Sequence, residues 1–165
     1  MTQALLIVDV QRSFNPPDSL IARIGLLLPL MPSVATVERH DEARVPFRRQ
    51  LAWAPAADDE SLIAADRICI KYGYSPPLDA LEHLRDLAVD RVLVCGLQAD
   101  TCVLAAGFAL FDAGLHPTIV ADLVVGSSLD PSGRLGVRLW KHHFGRVIGS
   151  HLEILHPDGP EDAIL

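Results

Sequence analysis

The sequence predicts an α/β fold: a three-layer α/β/α sandwich on a doubly wound, mainly parallel sheet of about six strands. Three observations predict it. Short runs rich in Val, Ile and Leu recur along the 165 residues with little polar alternation, as in strands buried on both faces of a parallel sheet. Patterns with helical spacing fill most of the intervals between them. No repeat, low-complexity tract or long linker divides the sequence, and 50% of it is hydrophobic. One domain over residues 1–165 with a sizeable core is therefore expected.

The elements follow in order. ALLIVD, Ala4 to Asp9, is the first strand. The helical region from Asp18 to Met31 is short and interrupted by Gly25 and Pro29. SVATVE, Ser33 to Glu38, is the second strand. Segment 41–66 carries charged clusters, two prolines and only a short apolar patch. It reads either as a functional loop or as a surface excursion with a short helix near DDESLIAA. RICIK, Arg67 to Lys71, is the third strand, and PLDALEHLRDLA follows with Leu78, Leu81 and Leu84 at helical spacing. RVLVCG, Arg91 to Gly96, is the fourth strand. The helix in TCVLAAGFALFDAG ends near Gly114, a residue suited to a C-cap. PTIVAD, Pro117 to Asp122, is the fifth strand, and the helix in SGRLGVRLWKHHFG ends at Gly145 with His142 and His143 at the surface. RVIGS, Arg146 to Ser150, supplies a sixth strand at the edge.

Composition narrows the function. The net charge is -7 and FRRQ is the densest basic cluster, which argues against nucleic acid, whose binding rests on phosphate neutralisation. The apolar run IARIGLLLPLMP is too short for a bilayer and is broken by Gly25, Pro29 and Pro32. The first residues lack a basic region followed by an apolar stretch, so a cytoplasmic protein is expected. Three cysteines without CxxC spacing fit neither a disulfide framework nor a zinc finger and read as reduced thiols. No GxGxxG follows the first strand, which argues against dinucleotide binding.

Ligands of open α/β sheets bind beyond the carboxyl ends of the strands. Asp9 ends the first strand and Lys71 the third; beyond Gly96 the fourth strand's loop delivers Cys102 to the start of a helix. Each has an ordinary alternative: a helix cap, a solvated lysine, a small buried hydrophobe. Together on one rim they form a coherent set. The carboxylate takes the thiol proton, the ammonium and helix N-terminus stabilise the charge, and the thiolate attacks. Cys69 and Cys95 lie inside apolar strands and read as structural.

The sequence resembles the isochorismatase-like cysteine hydrolases, a Rossmann-like family that includes nicotinamidases. The resemblance is carried by LLIVDVQRSF, IKYGYSP and VCGLQADTCVLAAGFALFDAG, with TIVADLV behind them. Asp-x-Gln-x-x-Phe and Gly-x-x-x-Asp-x-Cys-Val are specific as a set. The resemblance implies a triad of Asp9, Lys71 and Cys102, in which Lys71 lowers the thiol pKa and holds Asp9 ionised. It implies a cis peptide between Leu97 and Gln98, and an oxyanion hole from the backbone N–H groups of Gln98 and Cys102. It also implies cleavage of a small amide or related C–N bond through a thioester, without a cofactor. A homo-oligomer, dimer or larger, is expected, with a partner subunit over the short first helical region.

Nicotinamidases carry a metal site that begins with Asp-x-His after the second strand. Glu38-Arg39-His40 stands there, but no further His lies between Asp41 and Ile70, so no metal is expected. Gln11, Phe14, Trp53, Tyr72, Tyr74 and Gln98 are pocket candidates, with packing as the alternative. Such a lining suits a small planar or apolar amide. Two further readings stay open. One is an isochorismatase-type vinyl-ether hydrolase, whose anionic substrate would want the arginines of VPFRRQ. The other is a thiol redox or binding protein that keeps the fold without turnover.

Overall fold

The computed structural model describes residues 2–157. Six parallel strands form one sheet in the order β3-β2-β1-β4-β5-β6. The strands are β1 (Gln3–Val8), β2 (Ser33–Glu38), β3 (Arg67–Lys71), β4 (Arg91–Leu97), β5 (Pro117–Val125) and β6 (Val147–Ile148). The helices are α1 (Asp18–Gly25), α2 (Phe47–Leu51), α3 (Leu78–Asp86), α4 (Cys102–Asp112), α5 (Arg134–Phe144) and α6 (Leu152–Leu155). The strand order reverses between β1 and β4, the switch point at which such sheets open a crevice. No helix among the described residues is long and apolar enough to cross a membrane.

The apolar strands lack alternation because both faces are covered. Leu6 and Val8 of β1 pack with Leu84 of α3, Val103 and Ala106 of α4, and Trp140 of α5. Their neighbours Leu5 and Ile7 pack on the opposite face with Leu20 and Ile24 of α1. Each such buried side chain contributes about 1.5–3 kcal/mol. The first helix is short, as expected: α1 has eight residues, and Leu28–Leu30 continues as a 3-10 turn around Pro29.

Three elements differ from the sequence reading. β5 runs past Asp122 to Val125. The side chain of Asp122 is satisfied by Ser150 Oγ, His151 N and His151 Nδ1, so a charge does not end the strand. The short helix of segment 41–66 is α2, built around buried Phe47, and not DDESLIAA. That stretch instead ties down the chain after β1. Asp59 Oδ2 accepts the Ser13 N–H at 2.7 Å, Val10 O accepts the Leu62 N–H at 2.8 Å, and Ser61 bridges to Gln11. Finally, β6 is only two residues long.

At the switch point β4 comes unusually close to β1. Gly96 has φ of +112°, and a Cβ there would lie 2.1 Å from Val8 O. Only glycine fits that approach.

Candidate active site

Four adjacent strands deliver one reactive side chain each to the carboxyl rim. Lys71 closes β3 and Glu38 closes β2, and these two are paired in register. Asp9 follows β1 with φ of 50°. Cys102 opens α4 after a four-residue loop from β4. All four are buried: Asp9 is 0% exposed, Glu38 and Lys71 2%, and Cys102 5%.

The rim is centred on the ammonium. Lys71 Nζ lies 2.7 Å from Asp9 Oδ2 and 3.2 Å from Glu38 Oε2. It also donates to the carbonyls of Gly73 at 2.7 Å and Tyr74 at 3.1 Å. Cys102 Sγ stands 3.5 Å from Glu38 Oε2. Donor atoms of Asp9, Glu38 and Cys102 lie within 4.8 Å of one another. Thr36 Oγ1 donates to Asp9 Oδ1 at 2.7 Å. The Gln11 amide clamps the Glu38 backbone: its Nε2 donates to Glu38 O at 3.0 Å and its Oε1 accepts the Glu38 N–H at 2.7 Å. Gln11 is thereby part of the frame of the site rather than a free pocket group.

Burial dominates the electrostatics. It pushes the carboxyls of Asp9 and Glu38 above their ordinary values, while Lys71 pulls both back; Asp9 pushes Glu38 up further. Burial alone would lower Lys71, but Asp9, Cys102 and Glu38 outweigh it and raise its pKa, so it stays charged. Burial pushes the Cys102 thiol well up, Asp9 and Glu38 push the same way, and Lys71 pulls down. The expectation that Lys71 lowers the thiol pKa holds for its own contribution and fails for the net direction. In a dry site two carboxylates and desolvation overcome one ammonium. The resting thiol is therefore neutral, and its ionisation requires an acceptor at hand. The same balance applies to Asp9, whose carboxyl Lys71 stabilises in the ionised form without fully offsetting burial.

The loop before Cys102 has a distinctive backbone. The Leu97–Gln98 peptide is cis. Ala99 N–H bonds Val125 O, and Thr101 and Val103 N–H bond Gln98 O. None of these turn bonds uses the N–H of Gln98 or Cys102. Asp100 anchors the loop to the end of β5, accepting from Ser127 N at 2.8 Å and from Ser127 Oγ at 2.6 Å. The Gln98 side chain reaches Thr101 Oγ1 at 3.5 Å.

Around the rim sit the aromatics. Phe14 and Trp53 have ring centroids 5.6 Å apart, Phe47 and Trp53 6.5 Å, and Phe47 and Tyr74 5.7 Å. Tyr72 instead carries the Arg44 guanidinium, 4.2 Å above its ring. A hollow of about 330 Å³ is lined by Tyr74, Thr101, Leu104, Ala105 and Phe108, beside the first turn of α4.

His40 is not part of the rim cluster. Its Nε2 lies 3.0 Å from Glu42 Oε2, and its ring neighbours Phe47 at 6.3 Å. It joins no group of three or more convergent metal-ligating side chains among the described residues. The three that do converge surround the Lys71 ammonium. A nicotinamidase-type metal does not fit this set.

Glu38 is the residue that sequence reasoning misplaced. The strand-end argument takes in β1, β3 and β4 and leaves out β2, whose Glu38 it weighs only as the start of a carboxylate-x-His metal motif. Applied to all the strands, that argument would have found it.

A family model for the isochorismatase domain matches residues 3–151. Among solved structures, the chain is similar to pyrazinamidase of Pyrococcus horikoshii in complex with zinc. That pair has a TM-score of 0.73 and 23% identity, over 90% of this chain and 99% of that one. It is similar to N-carbamoylsarcosine amidase from Thermoplasma acidophilum, with a TM-score of 0.71 and 23% identity over 92% and 97%. An isochorismatase-like hydrolase from Alkaliphilus metalliredigens gives a TM-score of 0.76 at 15% identity over 95% and 99%. No curated protein matches the sequence.

Proposed function

The chain belongs to the isochorismatase family, and from that premise we propose that it is a cysteine hydrolase cleaving a small amide or related C–N bond. The observation that carries the proposal is the buried rim: a carboxylate, an ammonium and a thiol packed together, with the thiol on the first residue of α4.

In the proposed reaction Asp9 takes the Cys102 proton, and the thiolate attacks the substrate carbonyl. The N–H groups of Gln98 and Cys102 receive the oxyanion. Protonated Asp9 gives its proton to the departing amine as the C–N bond breaks. Asp9 then deprotonates a water, whose oxygen adds to the thioester carbon; the C–S bond breaks, the acid leaves, and Asp9 returns the proton to the Cys102 sulfur. Lys71 stabilises the negative charge as it moves between Asp9 and sulfur. The raised thiol pKa fits this sequence, since transfer to an adjacent base replaces a standing thiolate. The aromatic rim and the apolar hollow support a small planar or apolar substrate.

The surroundings narrow the alternatives. Arg49 pairs with Glu42 at 2.9 Å, Arg39 with Glu60 at 2.9 Å, and Arg44 sits on Tyr72. These pairings occupy Arg49, one of the two arginines of VPFRRQ; the Arg48 guanidinium makes no ion pair among the described residues and is what an anionic vinyl-ether substrate would have to use. A buried thiol with a raised pKa is also a poor redox sensor. The test is amine release from a panel of small amides by the wild type, Cys102→Ser and Asp9→Asn. Turnover lost in both variants is expected. Turnover that survives Cys102→Ser would overturn the nucleophile assignment.

A further inference from the structure

The cysteine-hydrolase reading leaves one buried ionisable group of the rim without a task. Glu38 lies against Lys71, which it shares with Asp9, and against Cys102. Its Oε1 is buried with no hydrogen-bond partner among the described residues. The Gln11 clamp and the β2–β3 register hold its backbone. An ordinary structural glutamate needs neither two catalytic-type neighbours nor an orphaned oxygen.

We propose that Glu38 and Asp9 form a carboxylate pair on a single ammonium, and that the protonation state of Glu38 decides how readily Cys102 ionises. This inference rests on Cys102 being the nucleophile. The groups facing Glu38 are Asp9 from β1, Lys71 from β3, Tyr74 from the loop after β3, and Cys102 from α4.

Charge balance gives the direction. With Glu38 protonated, Asp9 and Lys71 cancel and the rim is neutral. Moving the thiol proton to Asp9 then exchanges one anion for another beside the same ammonium, and the total does not change. With Glu38 ionised, the rim already carries one negative charge. The same transfer builds a thiolate next to a carboxylate oxygen that lies 3.5 Å from sulfur. Like charges in a dry site disfavour that state. Glu38 is thus a positioning and charge-setting residue. It restrains Cys102 when ionised and releases it when it carries a proton.

The sign separates this role from a structural one. Glu38→Gln keeps the shape and removes the charge, so it should shift Cys102 ionisation to lower pH. One pKa unit changes the thiolate fraction tenfold. The experiment alkylates the full-length protein with iodoacetamide across pH and reads Cys102 by mass spectrometry, with Cys69 and Cys95 as internal controls. Cys102 in Glu38→Gln should react about tenfold faster than wild type near pH 7, and Glu38→Asp should follow the wild type. A Glu38→Gln profile that superimposes on wild type, or moves to higher pH, overturns the inference. Should Glu38→Gln fail to fold, infrared titration and alkylation of Asp9→Asn decide, since Glu38 is then the carboxyl that remains beside Lys71 and Cys102. The stretch of a buried carboxylic acid must vanish over the pH range in which Cys102 reactivity changes, and a separation of more than about one unit overturns the proposal. Turnover surviving in Cys102→Ser would defeat the nucleophile reading itself. A dead Cys102→Ser with an unmoved Glu38→Gln profile would defeat the Glu38 assignment alone.

Discussion

Lys71→Met is the most informative single perturbation, because it removes one charge and leaves two. Methionine keeps the apolar stem but abolishes the contacts to Asp9 at 2.7 Å and Glu38 at 3.2 Å. It also removes the donors to Gly73 O and Tyr74 O. Breaking a buried ion pair from one side costs about 3–5 kcal/mol. The loss of the ion pair sets the scale, so a destabilisation of about 4 kcal/mol is expected at pH 8. That loss is large against a typical stability of about 5–15 kcal/mol. It should shrink toward acid. The carboxyls of Asp9 and Glu38 already titrate above their ordinary values of 3.8 and 4.5. Without the ammonium they move higher still. Groups raised in the folded state support it fully below their unfolded values and lose that support as pH rises through the folded ones. Urea unfolding of wild type and variant at pH 5 and pH 8 measures the difference. A destabilisation at least 1 kcal/mol smaller at pH 5 is expected, about a fivefold change in the folding constant. Equal losses at the two pH values would show that Lys71 acts through packing, and the electrostatic account of the rim would fall.

Three further outcomes follow from the same geometry. Gly96→Ala would set a Cβ 2.1 Å from Val8 O at a positive φ; destabilisation of about 3 kcal/mol or more is expected in thermal unfolding, and a loss under about 1 kcal/mol would contradict the close approach of β4 to β1. Thr36→Val removes the donor to Asp9 Oδ1 and leaves a buried oxygen unpaired, costing about 1–3 kcal/mol. The Asp9 carboxyl should also titrate at higher pH, visible as an upward shift of the acid limb of turnover. Asp100→Ala frees the Cys102 loop from Ser127 and should lower kcat more than it lowers the melting temperature; unchanged kcat would show that the loop holds its shape without that anchor.

The strands were legible because burial on both faces writes an uninterrupted apolar run, and β2 and β3 begin and end where that run does. β5 was underestimated because a lone Asp122 looks like punctuation until Ser150 and His151 are seen satisfying it, and those partners are remote in sequence. The helix of the long segment was misplaced for a related reason. Phe47 nucleates α2 by packing under Trp53 and Tyr74, whereas the amphipathic look of DDESLIAA serves contacts to Ser13 and Val10. Spacing and strand ends were enough to bring Asp9, Lys71 and Cys102 under one heading. The net push on the thiol was not legible. It depends on how dry the rim is and on a second carboxylate, and neither is written in local sequence.

Lys71 sits on β3, an edge strand, which is bonded on one side only and whose Arg67 and Ile68 are exposed. The cation shared by the buried acids is therefore mounted on a margin of the sheet. Peeling of that margin withdraws the charge and floods the rim while β1, β2 and β4 remain intact. Chemical competence and global folding then have separate melting points, with competence the lower. Any contact that staples down the margin of the sheet would widen the temperature range of the chemistry without touching a reacting atom.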